Sequence, residues 1–330
     1  MEMSSNLRIL MITSEWPSMD EPYCVPFIVR QVKFLRKSGI HVDVFHFRGR
    51  KNPLNYARAK IALYRYCNGK SYDLVHAQWG QSAFLAIPRK LPLVITYRGT
   101  DLEGLPDKNG HDSQYGKLLS LGSRVVSRFA NQIILVSDNL GRKLPTCTFH
   151  VIPSGIDLSL FKPMDRGKIR NQLGYQQNQS IVLFVGSSEN PIKRYRLAKR
   201  AVELVKNDIP TVVLINPNNI PHQIMPNFFN ASDVLLLTSI HEGSPNVVKE
   251  ALACNLPVVS TDVGDVRERI ENIEGCIVCE DGQPSTIAEA LKQVLNRNSR
   301  IEGRNTVLNL DENLLTKKVI AVYNKALCHA

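Results

Sequence analysis

Two glutamates, Glu242 and Glu250, stand eight residues apart in the stretch HEGSPNVVKE. An apolar run at 234–237 precedes the first and is long enough for a buried parallel strand. The second falls in a helix that the pattern places over 246–253, with Ser244 suited to cap it and Pro245 to its first position. Asn255 suits its end, and 256–260 reads as the next strand. In an open parallel sheet, ligands bind at the carboxyl ends of strands, beside such helix N-termini. The backbone amides of Gly243, Asn246 and Val247, aided by the helix dipole, favour a phosphate; Pro245 has no amide to give. Glu242 in the loop and Glu250 on the helix would then meet different parts of one phosphate-bearing ligand. The plainer alternative is a solvated Glu242 and a surface Glu250 on an ordinary βαβ unit.

The elements around this block must form at least one more core. The chain has 330 residues, 43% hydrophobic and 22% charged, enough for two soluble α/β domains. No apolar run approaches the ~20 residues of a membrane span. The start lacks the charged region and cleavage site of a signal peptide, which points to the cytoplasm. Seven scattered cysteines fit a reducing compartment. Cys276 and Cys279 have CxxC spacing, but no second pair matches them, so buried thiols are expected there.

Residues 7–12, 40–47, 72–77, 93–96 and 131–137 read as strands, with a helix at 27–37. No Gly-x-Gly-x-x-Gly follows the first strand, so a dinucleotide fingerprint is not supported. Crowded Pro and Gly at 153–163 mark a domain junction. A second domain restarts with a strand at 180–186, a helix at 197–204 and a strand at 211–215. Helices close the chain at 287–295 and 313–326.

Charge is uneven. Residues 1–150 carry 21 Lys and Arg against 11 Asp and Glu, and the remainder carries 20 against 19. An anionic partner for the first half follows: a membrane surface, a phosphorylated lipid or a nucleic acid. Leu54, Ala57, Ile61 and Tyr64 recur at helical spacing among Arg58, Lys60 and Arg65. They predict either an amphipathic helix touching anionic lipid or a surface helix with a solvated basic face.

Taken together, the Glu-x7-Glu block and, in order, YDLVHAQWG, ITYRGTDLEG, ILVSDNL and VIPSGIDLSLF resemble the retaining glycosyltransferases of family 4. The resemblance covers most of the chain from Leu7 and is strongest at 231–268. It implies the GT-B fold: two Rossmann-like domains whose parallel sheets face each other across a cleft, the second domain here shortened by about one unit. The expected boundaries are 1–155 for an acceptor-binding domain and 156–310 for a nucleotide-sugar domain, with a helix at 311–330 crossing back to the first.

The resemblance also assigns roles. Glu242 would lie beside the donor sugar, and Glu250 would hold the nucleotide ribose. The amides of Gly243, Asn246 and Val247, with Ser244, would bind sugar hydroxyls and the distal phosphate. Lys193 matches a family lysine on the donor diphosphate, which follows Gly186. The family arginine after that glycine is Ser187 here, so Arg194 or Arg196 would supply the second cation. Asn216 marks the nucleobase end. Arg98 stands where the family usually has a histidine near the sugar; its permanent charge makes it no general base. Cys24-Val25-Pro26 replaces a glycine-rich loop.

Asp101 and His76 are candidates for acceptor contacts, with His111 and His241 as further histidines. The expected reaction is sugar transfer from a UDP- or GDP-linked donor with retention at the anomeric carbon. The expected acceptor is a lipid-linked or surface-polysaccharide precursor. No Asp-x-Asp occurs, so a donor-bound metal is not implied, and no other cofactor or nucleic acid is expected. The corresponding location is the cytoplasm, at the inner face of the membrane. The alternative is a degenerate, non-catalytic member of the fold that binds anionic lipid or nucleic acid. An epimerase or phosphorylase on the same fold is not favoured by the motif.

Overall fold

A computed structural model describes residues 7–49, 52–88, 90–104 and 113–328. Two compact units emerge. The described residues up to Gly155 join Glu312–Cys328 in one, and Ile156–Asp311 form the other.

The first unit is a six-stranded sheet in the order β2-β1-β3-β4-β5-β6, parallel at every pairing. Its strands are β1 (Arg8–Thr13), β2 (His41–His46), β3 (Leu74–Gln78), β4 (Leu93–Tyr97), β5 (Gln132–Leu135) and β6 (His150–Val151). β3 and β4 are buried at every position, as strands covered on both faces must be. On one face Leu10, Val75, Ile95 and Ile133 meet Ala59, Leu63, Leu85 and Val126 from the covering helices. The helices Pro26–Lys37 and Glu312–Cys328 pack against each other. Between them Arg30 Nε lies 3.0 Å from Glu312 Oε2, with both side chains almost wholly buried.

The Pro53–Cys67 helix starts where Asn52 accepts a hydrogen bond from the Leu54 amide at 3.0 Å, with Pro53 in the first turn. Its buried side is Ala59 and Leu63, not the stripe picked out by spacing. Leu54, Ala57, Ile61 and Tyr64 face solvent. Tyr56 and Tyr66 supply the inward bulk by packing edge-on to Phe47 and Phe45.

The Gln114–Ser127 helix escapes the sequence reading because, apart from Val126, its buried side is made of Gly116, Ser120, Ser123 and Ser127. Small residues are needed there, since a Cβ on Gly80 would stand 2.6 Å from Ser123 Cβ. The chain leaves β5 through a 3-10 turn, Asp138–Lys143.

The second unit is a five-stranded parallel sheet, β11-β10-β9-β7-β8. Its strands are β7 (Ser180–Leu183), β8 (Val212–Ile215), β9 (Val234–Leu237), β10 (Val258–Thr261) and β11 (Ile277–Cys279). It has one strand fewer than the first unit. After β8 the chain passes through the short helix Met225–Ala231 and returns beside β7 as β9. The order therefore reverses between β7 and β9, and that position locates the site described next.

Seven free cysteines include Cys276 and Cys279, whose thiols burial pushes up to about 11. Among the described residues no helix is long and apolar enough to cross a membrane.

Candidate functional site

A crevice opens at the carboxyl ends of neighbouring strands where a parallel sheet reverses its order. In the second unit the order reverses between β7 and β9. The loop after β7 carries Gly186 and Lys193, and the loop after β9 carries Glu242. The two chemistry-bearing side chains meet there. Lys193 Nζ lies 2.6 Å from Glu242 Oε1, and the Ser239 hydroxyl donates to the same oxygen at 2.8 Å. Both residues of the pair remain partly exposed, so a ligand can reach them.

The loop of Glu242 is fixed from beneath. A Cβ on Gly264, whose φ is +58°, would stand 2.7 Å from the carbonyl oxygens of Glu242 and Gly243. Only a glycine lets the two backbones approach this closely.

The helix Asn246–Ala253 has the span that the sequence predicts, but a different residue stands at its cap. Pro245 is its N-cap, in extended conformation. Ser244 does not cap it. Its hydroxyl donates to Asp265 Oδ2 at 2.7 Å and accepts from Lys249 Nζ at 3.1 Å. That diversion leaves the first-turn amides without a side-chain cap, and the amide end of the helix adjoins the Glu242 loop. Asn246 Oδ1 and, at the end of β8, Asn216 Oδ1 are buried atoms without a hydrogen-bond partner.

Glu250 lies on the same helix, nearly buried, with Oε1 3.0 Å from His222 Nε2. His222 in turn stacks at a tilt on Phe161, 5.1 Å between ring centroids. Sequence reasoning missed His222, Ser239, Gly264 and Asp265. Only the tertiary structure brings the loop of His222 to Glu250, and no local spacing marks it.

Arg194 is placed differently from the expectation that it faces the diphosphate. It sits at the N-cap of the Tyr195–Val205 helix with φ of 50°. Its guanidinium donates to the carbonyls of Thr238, at 2.6 Å, and Ser239, at 3.2 Å. The side chain ties the two loops together, and those carbonyls engage its Nε and Nη2 donors.

In the first unit Arg98 follows β4. It donates to Gln78 Oε1 at 2.7 Å and to Ser154 Oγ at 2.7 Å, and its guanidinium stands 4.7 Å above the Phe27 ring. Burial lowers its pKa to about 10, which leaves it cationic at neutral pH. Phe27, Gln31, Arg98, Ser154 and Glu312 border a cavity of about 10 Å³.

Asp101 and His76 do not face a ligand. Asp101 is wholly buried and accepts from the backbone amides of Gly80, Arg98 and Gly99, at 3.0 to 3.1 Å. It is the clasp of this loop. His76 is also wholly buried; Nδ1 is 2.7 Å from the Tyr323 hydroxyl and Nε2 is 2.7 Å from that of Thr96. Burial foremost, then the charge of Arg98, lowers its pKa to about 3. The interior position removes both residues from acceptor contact. His241 is half-buried in the Glu242 loop, and His111 lies outside the described residues. Among the described residues no cluster of His, Cys, Asp and Glu could hold a metal ion.

Family models match residues in both units. Residues 12–160 match the family model "Glycosyltransferase Family 4", and residues 218–297 match "Glycosyl transferases group 1". TuaC of Bacillus subtilis (strain 168), assigned to teichuronic acid biosynthesis as a glycosyltransferase, is 28% identical over 59% of this chain and 54% of its own length. A D-inositol 3-phosphate glycosyltransferase of Geodermatophilus obscurus is 25% identical over 68% of this chain and 60% of its own. The chain thus spans little more than half the length of the curated relatives it matches.

Among solved structures, sucrose-phosphate synthase from Thermosynechococcus elongatus superposes with a TM-score of 0.77 at 16% identity, covering 98% of this chain and 100% of that one. Anabaena HepE in complex with UDP-glucose gives 0.68 at 18% identity, over 96% and 99%.

Proposed function

The chain belongs to the family 4 glycosyltransferases, and from that premise we propose that it transfers a sugar from a nucleotide diphosphate sugar to a glycan acceptor, with retention at the anomeric carbon. The observation that carries the reading is the pairing of Lys193 and Glu242 at the order reversal of the second sheet, beside the uncapped amide end of a helix.

Each group has a task in that reaction. As the bond to the leaving diphosphate breaks, negative charge grows on the phosphate oxygens. Lys193, drawn from its pair with Glu242, and the amides of Gly243, Asn246 and Val247 stabilise it. Glu242, released from Lys193, orients the sugar and supports the positive charge that develops at its ring. Glu250, held by His222, receives the ribose, and Asn216 offers an unused acceptor to the nucleobase. Arg98, fixed by Gln78 and Ser154, is a cation that the first unit offers to the acceptor.

UDP is the favoured nucleotide, because a neighbour in fold is solved with UDP-glucose. A lipid-linked or surface-polysaccharide precursor is the favoured acceptor, because TuaC is assigned to teichuronic acid biosynthesis.

The test is release of free nucleotide from a panel of UDP- and GDP-sugars, with thermal-shift measurements on the same panel. A donor that both stabilises the fold and is turned over supports the reading. Undiminished turnover in Glu242→Gln and Lys193→Ala would defeat it.

A further inference from the structure

The helical layer over one face of the first sheet has an unusual outer side. The Pro53–Cys67 helix, the turn Phe84–Ala86 and the Gln114–Ser127 helix all send buried side chains into the same core. Phe84 packs onto the last helix, 3.0 Å from where a Cβ on Gly122 would stand, and Lys60 donates to the Ile87 carbonyl. The three segments therefore form one continuous layer.

Its outer side is apolar. Leu54, Ile61 and Tyr64 project from the first helix, and Phe84 from the turn. Leu118, Leu121, Val125 and Phe129 project from the other helix and its end. These are eight of the fourteen exposed large hydrophobics among the described residues, so the clustering is not an ordinary scatter.

The same segments hold no acid. Residues 52–68, 80–90 and 113–130 contain neither Asp nor Glu. Arg58, Lys60, Arg65, Lys90, Arg124 and Arg128 are exposed along them. A protein core would not want these cations, and a second copy of this face would meet it with like charge. Apolar side chains set among cations, on segments that carry no acid, fit a surface that is oily a few ångströms beneath a layer of negative charge.

We propose that this face docks on an anionic lipid bilayer, lying in the interface without spanning it. Ile61, Leu121 and Phe129 enter the headgroup boundary, and Arg58, Arg65, Arg124 and Arg128 engage lipid phosphates. The surface is separate from the residues assigned to sugar transfer, so the two can fail independently.

The experiment is co-sedimentation of the full chain with vesicles of phosphatidylcholine alone, or mixed with phosphatidylglycerol. Three variants are compared: Ile61→Glu with Leu121→Glu, Arg58→Glu with Arg124→Glu, and Leu308→Glu as an exposed apolar control elsewhere. The expected result is binding to the mixed vesicles that weakens with salt. Each double variant should lose about tenfold or more in affinity while Leu308→Glu loses none. Thermal melting checks that all variants fold, and nucleotide release reads catalysis separately.

Equal binding to neutral and anionic vesicles, or binding that both double variants retain, would overturn the proposal. So would a dimer that Ile61→Glu with Leu121→Glu dissolves, since the occupant would then be a second copy. Vesicle binding without nucleotide release would leave the docking face standing and remove the transferase reading instead.

Discussion

Lys193 and Glu242 are 49 residues apart in the chain, yet their charged ends lie 2.6 Å apart. In this structure each neutralises the other. In the proposed reaction a phosphate would draw the ammonium away and leave the carboxylate to face the sugar, which would couple donor binding to the readiness of Glu242.

If that coupling operates, Lys193→Ala and Glu242→Gln should each lower kcat by about 10²–10³-fold. Both side chains are partly exposed, at 23% and 16%. Stability should therefore change by only about 1 kcal/mol. Steady-state nucleotide release with parallel thermal melts checks both halves.

Gly264→Ala tests the support beneath the loop. The added methyl would sit 2.7 Å from two carbonyl oxygens at a φ of +58°. The expected cost is about 1–3 kcal/mol in stability. A fall in kcat should accompany it as Glu242 shifts, although residue 264 itself offers no group to the donor. Denaturant unfolding and kinetics on the same preparation measure the two effects.

The Arg30–Glu312 pair ties the last helix to the first unit. Removing Arg30 strips the buried Glu312 carboxylate of its ion-pair partner at 3.0 Å, so Arg30→Ala should destabilise by about 3 kcal/mol. Gly155→Ala should be harmful nearby, since its Cβ would stand 2.8 Å from Glu312 Cα. Urea unfolding of the two variants is the measurement.

His76 gives a pH dependence whose sign follows from burial. Its pKa falls from an ordinary 6.5 to about 3 in the folded chain, so the unfolded chain takes up the proton first as pH drops. The contribution of His76 to stability is complete above its unfolded pKa and is lost as pH falls towards the folded one. The slope is about 1.4 kcal/mol per pH unit in that window. Stability measured between neutral and mildly acid pH should show this limb, and His76→Gln should lack it.

The amino-acid order determined the alternation of strands and helices, because buried parallel strands are apolar runs and their caps are local. It also determined the pairing of loop and helix glutamates, since eight residues of chain fix which element each occupies. It did not determine which side chains remain available. Asp101 turned inward because three amides needed an acceptor, and His76 because Thr96 and Tyr323 satisfied it. Arg194 was consumed by two carbonyls, and Ser244 by Asp265. Nor could helical spacing tell that Ile61 and Tyr64 point outward, because periodicity marks a stripe and not the side on which the sheet lies. Those outcomes depend on partners far away in sequence, and only the packed chain decides between them.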